Sequence, residues 1–428
     1  MSRVSIIGCG YVGLVTAAGL SSLGHEVTGI DRNEALVYEL TMGQIRLLEP
    51  GLKELVETGW QAKLLTFSRS YESIATAEFV ILAVDTPATP AGAANLSSIR
   101  SAVRSIASEL DDSMPIIVNK STSPIGTGDT IELLLRSVLA GRKPRIVSNP
   151  EFLREGSAVH DFLNPDRIVV GGKLDDAVLV MSLYTELPGK RLITDVRTAE
   201  MIKYASNTYL ATRVSYINEI ANLCHGLDIS IDDVIYGLGL DPRIGSHFLA
   251  PGIGYGGSCL PKDVAALRYT ADSVGISTPL LAAVEAVNRG QRTSVVRRLR
   301  ERMGPLDDRD LAVWGVTFKA GIRDARESPA VDVIQLLINE GATVRVFDPA
   351  APTNAPDEVR ARYCATAMEA ATGADALLVL TEWPDFREVS AHEVFDVMRP
   401  PHLVFDGRNC MSRSALEEVG FMYLGVGR

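Results

Sequence analysis

The sequence contains no apolar run approaching the ~18 to 20 residues that a membrane-spanning helix requires, so no membrane partner is expected. It has no CxxC pair. Its five cysteines, Cys9, Cys224, Cys259, Cys364 and Cys410, are odd in number and far apart, which suits reduced thiols better than a disulfide framework. The six histidines are equally dispersed, and no metal site is legible. Positive charge is in deficit, with 42 Lys and Arg against 53 Asp and Glu, a net charge of −11. That balance argues against a nucleic-acid partner, while leaving room for a local basic pocket that takes phosphate. Met1-Ser2-Arg3-Val4 runs straight into a strand pattern and leaves no space for a signal peptide. A cytoplasmic location is the expectation.

What is present is a chain of 428 residues, 46% hydrophobic and 22% charged. That is ordinary globular composition at a length that calls for two or three domains. Val4 to Ile7 is an apolar run that leads into Gly8-Cys9-Gly10-Tyr11-Val12-Gly13, followed by a helix-like stretch to Leu23 and a second strand, Glu26 to Ile30, ending at Asp31. A GxGxxG after a strand and at the start of a helix, with an acid eighteen residues beyond, is the context a dinucleotide needs. Gly8 permits the tight turn, Gly10 lets pyrophosphate approach the backbone, and Gly13 allows close helix–sheet packing. Asp31 would accept from ribose hydroxyls and repel a 2′-phosphate, which points to NAD over NADP. Cys9 reads as a small filler.

Strands then recur at Phe79 to Val84, Pro115 to Val118 and Arg145 to Val147. They end in Asp85-Thr86-Pro87, Lys120-Ser121-Thr122-Ser123-Pro124 and Asn149-Pro150-Glu151-Phe152-Leu153-Arg154-Glu155-Gly156. In an open parallel sheet ligands bind beyond the carboxyl ends of strands, so these polar tips are expected to converge on the cofactor; singly, each is also compatible with a capped loop. From Thr198 to Gly226 the apolar residues recur at helical steps, and Lys203 and Asn207 share a face, either as solvated groups or as a donor pair for an oxyanion. A second long helix is expected from about Thr278 to Met303. After Gly304 to Arg309 the opening architecture repeats, with strands at Asp310 to Gly315, Thr343 to Phe347, Ala376 to Leu380 and His402 to Phe405. This half lacks the glycine fingerprint and carries Phe318-Lys319-Ala320-Gly321-Ile322-Arg323-Asp324-Ala325-Arg326-Glu327-Ser328 instead, either a solvated basic loop or a site for a second diphosphate.

Between the halves stands Gly254-Tyr255-Gly256-Gly257-Ser258-Cys259-Leu260-Pro261-Lys262-Asp263. Three glycines let the backbone approach a ligand, and a thiol, a cation and a carboxylate follow within five positions. Cysteine is a nucleophile as thiolate, a form favoured by an ammonium or a helix N-terminus. Standing alone, the stretch would sooner describe a turn with a buried structural cysteine.

GCGYVG, KST, NPEFLREG, KYASN, GGSCLPKD, FKAGIRDARES and DGRN occur in one order along nearly the whole chain. Together they resemble the nucleotide-sugar 6-dehydrogenases of the UDP-glucose/GDP-mannose dehydrogenase family. The resemblance implies an α/β fold of two Rossmann-like doubly wound domains joined by a central helical domain with a long helix. Residues 1–197 would bind NAD, 198–303 would carry the catalytic loop and dimer contact, and 304–428 would bind the nucleotide of the sugar. The implied reaction is a four-electron oxidation of a primary alcohol to a carboxylate through an aldehyde, a thiohemiacetal and a thioester on Cys259. Lys203 and Asn207 would stabilise the oxygen, with Asp263, Glu151 and Thr122 near the hydrolytic water. Cofactor contacts carry over to Gly8, Gly10, Tyr11, Val12, Gly13, Asp31, Thr86, Ser121, Thr122, Glu155, Lys262 and Arg326. Substrate contacts carry over to Glu151, Phe152, Leu153, Lys203, Asn207, Arg243, Tyr255, Gly256, Phe318, Lys319 and Arg408, and Arg243 and Arg408 can reach across from a neighbouring subunit in this family. Asp161 to Arg167 and Asp241 to Gly245 lean towards UDP-glucose, the alternative being GDP-mannose. A β-hydroxyacid dehydrogenase is a further alternative, disfavoured by Cys259 and by residues 310–428, as is a non-catalytic NAD-binding sensor. The sequence departs from relatives at Asp85, where a neutral residue is usual, and at Leu36, where many carry a basic one.

Overall fold

The computed structural model describes residues 1–110, 114–139, 142–350 and 361–428. Two compact units emerge, one of residues 1–206 with 265–275 and one of residues 207–264 with 276–428.

The first unit is built on eight strands: β1 (Arg3–Ile7), β2 (Glu26–Ile30), β3 (Leu65–Ser68), β4 (Phe79–Leu82), β5 (Ile116–Asn119), β6 (Arg145–Ser148), β7 (Arg167–Gly171) and β8 (Lys190–Thr194). Their order is β3-β2-β1-β4-β5-β6-β7-β8. The first six run parallel, β7 meets β6 antiparallel at Ser148 and Gly171, and β8 runs parallel to β7. Strand residues alternate between two apolar layers: Val4, Ile6, Phe79, Ile81, Ile116 and Val118 point to one, Ile7, Val80, Leu82 and Ile117 to the other. Burial on both faces is why these strands read as continuous apolar runs instead of alternating ones.

The second unit carries β9 (Asp310–Trp314), β10 (Thr343–Phe347), β11 (Arg362–Tyr363), β12 (Ala376–Val379), β13 (Leu403–Asp406) and β14 (Met422–Gly425). They form an all-parallel sheet in the order β11-β10-β9-β12-β13-β14. This repeats the order of the first six strands of the other unit. Leu311, Val313, Leu378 and Phe405 pack beneath Ile217 and Ala221 of the helix Val196–Gly226 and Val295, Leu299 and Met303 of the helix Pro279–Met303. Two Rossmann-like parallel sheets with a helical middle are thus the architecture, as the sequence led one to expect. Five strands escaped sequence reading: β3, β7, β8, β11 and β14. Among the described residues no helix is long and apolar enough to cross a membrane, and no group of three or more His, Cys, Asp or Glu could hold a metal.

The repeat extends to hydrogen bonds at the strand ends. In the first unit the Gly8 N–H donates to Ile30 O at 2.8 Å, and the Asp31 carboxylate accepts from the N–H groups of Cys9 (2.8 Å) and Asn33 (2.9 Å). In the second, the Gly315 N–H donates to Phe347 O at 2.8 Å, and Asp348 accepts from Val316 N–H (2.7 Å), Thr317 N–H (2.9 Å) and Ala350 N–H (2.9 Å). Gly8 and Gly315 take φ of +97° and +92°, the left-handed region where a side chain would be strained. In both units, then, a carboxylate at the end of one strand ties down the turn that leaves its neighbour.

Asp348 is buried and also accepts from the Thr317 hydroxyl at 3.0 Å. Asp348→Ala would leave three backbone donors without their acceptor. The expected cost is about 3 kcal/mol or more, because each buried donor loses a charged partner. Urea unfolding of the full chain measures it, and a change below about 1 kcal/mol would show that the bridge does not hold the turn.

Candidate active site

The glycine loop is shaped by contacts that tolerate no side chain. A Cβ on Gly8 would lie 2.5 Å from Ala83 O, and one on Gly13 would lie 1.8 Å from Gly8 O. Gly10 differs: a Cβ there would meet nothing within 4 Å. It opens the helix Tyr11–Ser22 without a side-chain cap. Free N–H groups at a helix N-terminus beside open space are what a pyrophosphate requires. The neighbouring cleft, about 310 Å³, is lined among others by Asp31, Asn33, Leu36, Tyr71 and Asp85. Each Asp31 oxygen accepts one backbone bond and keeps a lone pair for a ribose hydroxyl. These residues fit a dinucleotide, and both departures noted in the sequence, Leu36 and Asp85, line its cleft. Cys9 is buried, and burial followed by the charge of Asp31 pushes its thiol far up, so it is inert.

Tyr11 and Val12 turn inward at this helix start. The Tyr11 hydroxyl donates to Glu49, and the Gly156 N–H donates to the Tyr11 oxygen at 2.8 Å and to Glu49 at 2.8 Å. Val12 is half-buried and its carbonyl accepts from the Thr16 hydroxyl. Glu49, which the sequence reading did not single out, thereby ties the glycine helix to the loop that carries Glu151 and the half-buried Glu155.

The tips of β4, β5 and β6 are cross-linked. The Ser121 hydroxyl accepts from Val84 N–H at 2.9 Å and lies 3.3 Å from Leu82 O, while the Thr86 hydroxyl donates to Thr122 O. Thr122 Oγ1 lies 3.4 Å from Glu151 Oε1. Glu151 accepts from Lys203 Nζ at 2.8 Å and from Leu153 N–H, and both side chains of the ion pair are 5% exposed. Burial by itself would raise the Glu151 carboxyl, but the Lys203 charge and hydrogen bond, the Leu153 N–H and the charge of Lys120 hold it below its ordinary value. The Phe152 ring lies under the Arg167 guanidinium at 4.0 Å and near Lys203 Nζ at 5.4 Å. Lys120, the first residue of the KST motif, is buried beside this pair.

In the other unit Asp263 is wholly buried, accepting from Asn207 Nδ2 at 2.6 Å and from Lys262 Nζ at 2.6 Å. Lys203 and Asn207 stand one turn apart on the single helix Val196–Gly226. Cys259 immediately precedes the helix Leu260–Ser273, and its carbonyl accepts from the Asp263 N–H at 3.0 Å. A thiol at a helix N-terminus is favoured as thiolate. The glycines before it are packed against the basic loop. A Cβ on Gly256 would lie 2.1 Å from Glu327 O, and one on Gly257 would lie 2.7 Å from the Phe318 ring.

Tyr255 is buried with Ala211, Val264 and Val284, and its backbone is held on both sides by Asn288 at 2.8 and 3.1 Å. Arg408 is engaged within its own chain: its guanidinium donates to Leu380 O at 3.0 Å, Gly254 O at 3.4 Å and Phe318 O at 3.3 Å. It is a brace between the thiol loop and the basic loop. Lys319, next to Phe318 in sequence, is half-buried. Arg326 pairs with Asp324 at 2.5 Å. Arg243 is exposed and pairs with Asp241 at 2.7 Å, on a loop whose Ile244 and Gly245 carbonyls accept from Arg213. Arg213 and Asn288 act on backbone far away in sequence, and no local pattern signals them.

The chain matches the UDP-glucose/GDP-mannose dehydrogenase family in three segments: the NAD binding domain at residues 2–187, the central domain at 197–290 and the UDP binding domain at 312–413. It is 40% identical to a UDP-glucose 6-dehydrogenase of Pseudomonas aeruginosa over 447 residues, covering 100% of this chain and 97% of that one. It is 39% identical to the UDP-glucose 6-dehydrogenase of Rhizobium meliloti, covering 100% and 99%. Among solved structures, a UDP-glucose dehydrogenase from Pyrobaculum islandicum superposes with a TM-score of 0.93 at 34% identity, covering 100% of this chain and 98% of that one. A GDP-mannose dehydrogenase from Pseudomonas aeruginosa reaches 0.56 at 27%, covering 99% of each chain.

Asp31→Ala tests the cleft. NAD affinity is expected to fall and discrimination against NADP to relax, each by about 1–3 kcal/mol for lost charged hydrogen bonds. Titration of the protein with each dinucleotide reads both, and an unchanged NAD/NADP preference would remove Asp31 from this role.

Proposed function

Because the chain belongs to the UDP-glucose/GDP-mannose dehydrogenase family, we propose that it oxidises UDP-glucose to UDP-glucuronate. It does so as an NAD-dependent UDP-glucose 6-dehydrogenase. The observation that carries this reading is Cys259 at the start of the helix Leu260–Ser273, one turn before a buried Asp263 held by Asn207 and Lys262. A β-hydroxyacid dehydrogenase has no use for that thiol. Identities of 40% and 39% to UDP-glucose 6-dehydrogenases, against 27% to the GDP-mannose dehydrogenase, favour UDP-glucose over GDP-mannose as the substrate.

We assign residues 1–197 to NAD, 198–303 to catalysis and dimerisation, and 304–428 to the UDP-sugar. Gly8, Gly10 and Gly13 with the helix N-terminus would hold the pyrophosphate, and Asp31 the adenosine ribose. When bound, NAD accepts a hydride in each of two oxidations. Lys203 and Asn207 donate to the sugar's C6 oxygen as negative charge develops on it. The Cys259 thiolate adds to the aldehyde carbon, and the thiohemiacetal so formed is oxidised to a thioester. Water cleaves the carbon–sulfur bond, releasing the carboxylate and restoring the thiolate. Glu151 and Asp263 orient that water, with Thr122 in the same hydrogen-bond network. Phe318, Lys319 and Arg408 bind the diphosphate or shape its loop.

A second copy of this chain is the partner we assign. Tyr209, Tyr216 and Leu223 stand at seven-residue steps on the helix Val196–Gly226 and are 60%, 53% and 56% exposed. An apolar row of that spacing on one helical face suits burial against its symmetry mate. The cytosol is the compartment that fits five cysteines held as thiols, one of them the nucleophile; fractionation of the producing cells would report it.

UDP-glucose with excess NAD should yield two NADH per sugar and no free aldehyde. Cys259→Ala should lose acid production by several orders of magnitude while NAD binding persists. One NADH per sugar with trappable aldehyde, or near wild-type turnover in the variant, would overturn the mechanism. A preference for GDP-mannose in the same assay would overturn the substrate alone. Sedimentation should give a dimer that Tyr216→Lys converts to monomer, and a monomeric wild-type protein would refute the assignment.

A further inference from the structure

Lys120 follows directly on β5 and takes no part in the chemistry above. It is 5% exposed. Its Nζ donates to Asn149 Oδ1 at 3.1 Å and lies 5.6 Å from the centre of the Tyr184 ring, whose hydroxyl donates to the same Oδ1 at 2.6 Å. Asn149 is itself fixed, its Nδ2 donating to Val169 O at 2.8 Å and its N–H to Asn119 O at 2.9 Å. The ammonium is therefore anchored on the residue two positions before Glu151, behind the tip of β6.

As a contribution to the fold this is a poor arrangement. A buried ammonium with one hydrogen bond is under-compensated, and an apolar side chain of similar volume would fill the space at lower cost. The ionisable groups that face it are Glu151, which favours its charge, Lys203, which opposes it, and the Tyr184 phenol, which burial keeps neutral. Burial prevails and pushes Lys120 down to about 8, so it remains cationic at neutral pH. Seen from Glu151, it is a second positive charge behind Lys203.

We propose that Lys120 is a positioning residue for Glu151: its buried ammonium, held on Asn149, is the standing countercharge that keeps the Glu151 carboxylate ionised while Lys203 donates to the substrate oxygen. A lysine ammonium has three donors, so Lys203 can hold Glu151 at 2.8 Å and still reach a substrate oxygen, but its positive charge is then shared with a developing oxyanion. Lys120 has no such competitor. This inference rests on the roles assigned above to Glu151 and Lys203.

The test is the pH dependence of kcat for NADH formation in the wild type, Lys120→Met, Lys120→Gln, Lys120→Arg and Glu151→Gln. Glutamine keeps a donor for Asn149 and removes only the charge, and it carries the test if the methionine variant does not fold. Both neutral variants should move the acid limb to higher pH by about half a unit or more, and alike, as expected for a carboxyl that loses a nearby cation. Arginine should leave the limb in place, and the thermal midpoint of Lys120→Met at pH 7 should equal or exceed that of the wild type. An acid limb that stays put in both neutral variants but vanishes in Glu151→Gln overturns the inference alone. A limb moved by methionine and not by glutamine makes Lys120 a packing residue and also overturns it. A limb that survives Glu151→Gln overturns the role of Glu151 itself, and the inference with it.

Discussion

The buried pair of Lys203 and Glu151, 2.8 Å apart and 5% exposed on each side, is the constraint around which the first unit is arranged. Two charges taken out of water are costly unless further hydrogen bonds satisfy them, and removing one partner typically costs about 3–5 kcal/mol. The surrounding elements supply those bonds. The tip of β5 brings Thr122 and the loop after β6 brings the Leu153 N–H, while the Phe152 ring lies 4.0 Å from the Arg167 guanidinium and 5.4 Å from Lys203 Nζ. Strand tips that could have been ordinary capped loops are thereby locked to one another and to the start of the helix Val196–Gly226.

The two sheets show how one local device serves different ends. In each, a strand-end carboxylate pins the turn of the neighbouring strand, Asp31 on Cys9 and Asp348 on Val316. In the first unit the turn opens into a helix whose N-terminus faces open space at Gly10. In the second, the chain instead runs through the Phe318 loop before its helix Pro329–Asn339 begins, and that loop packs on the glycines ahead of Cys259. The same scaffold leaves donors free for a pyrophosphate in one case and braces a reactive loop in the other.

Bracing matters for the proposed chemistry because a thiol must be placed to a fraction of an ångström. Asn288 accepts from the Tyr255 N–H and donates to its carbonyl, and Arg408 ties the Gly254 carbonyl to those of Leu380 and Phe318. The family resemblance implies for Arg408 a substrate contact that can reach across from a neighbouring subunit. In the structure its guanidinium reaches three carbonyls of its own chain and pairs with Glu382 at 3.3 Å, which braces the loop.

Much of this was legible in the sequence, because the features concerned are local. Buried parallel strands write themselves as apolar runs, the glycine fingerprint is a backbone requirement, and Lys203 and Asn207 share a face by helical geometry alone. Other features were not legible. The strand β8 escaped because it is an exposed edge with little apolar content, and the short β11 and β14 lie at sheet edges too. By contrast, β7 carries the buried run Ile168-Val169-Val170 and was legible, though missed. Tyr11 stands in the fingerprint, yet its hydroxyl turns to Glu49, a residue thirty-eight positions away. Lys120 is written with the same letter as a solvated lysine. Only the packing of Tyr184 and Asn149 around it, brought together by the sheet, removes its water and makes its charge felt at Glu151. The sequence determined which groups are available and on which elements they ride; the tertiary structure decided which of them lose their solvent, and that loss sets the strength of every charge in the site.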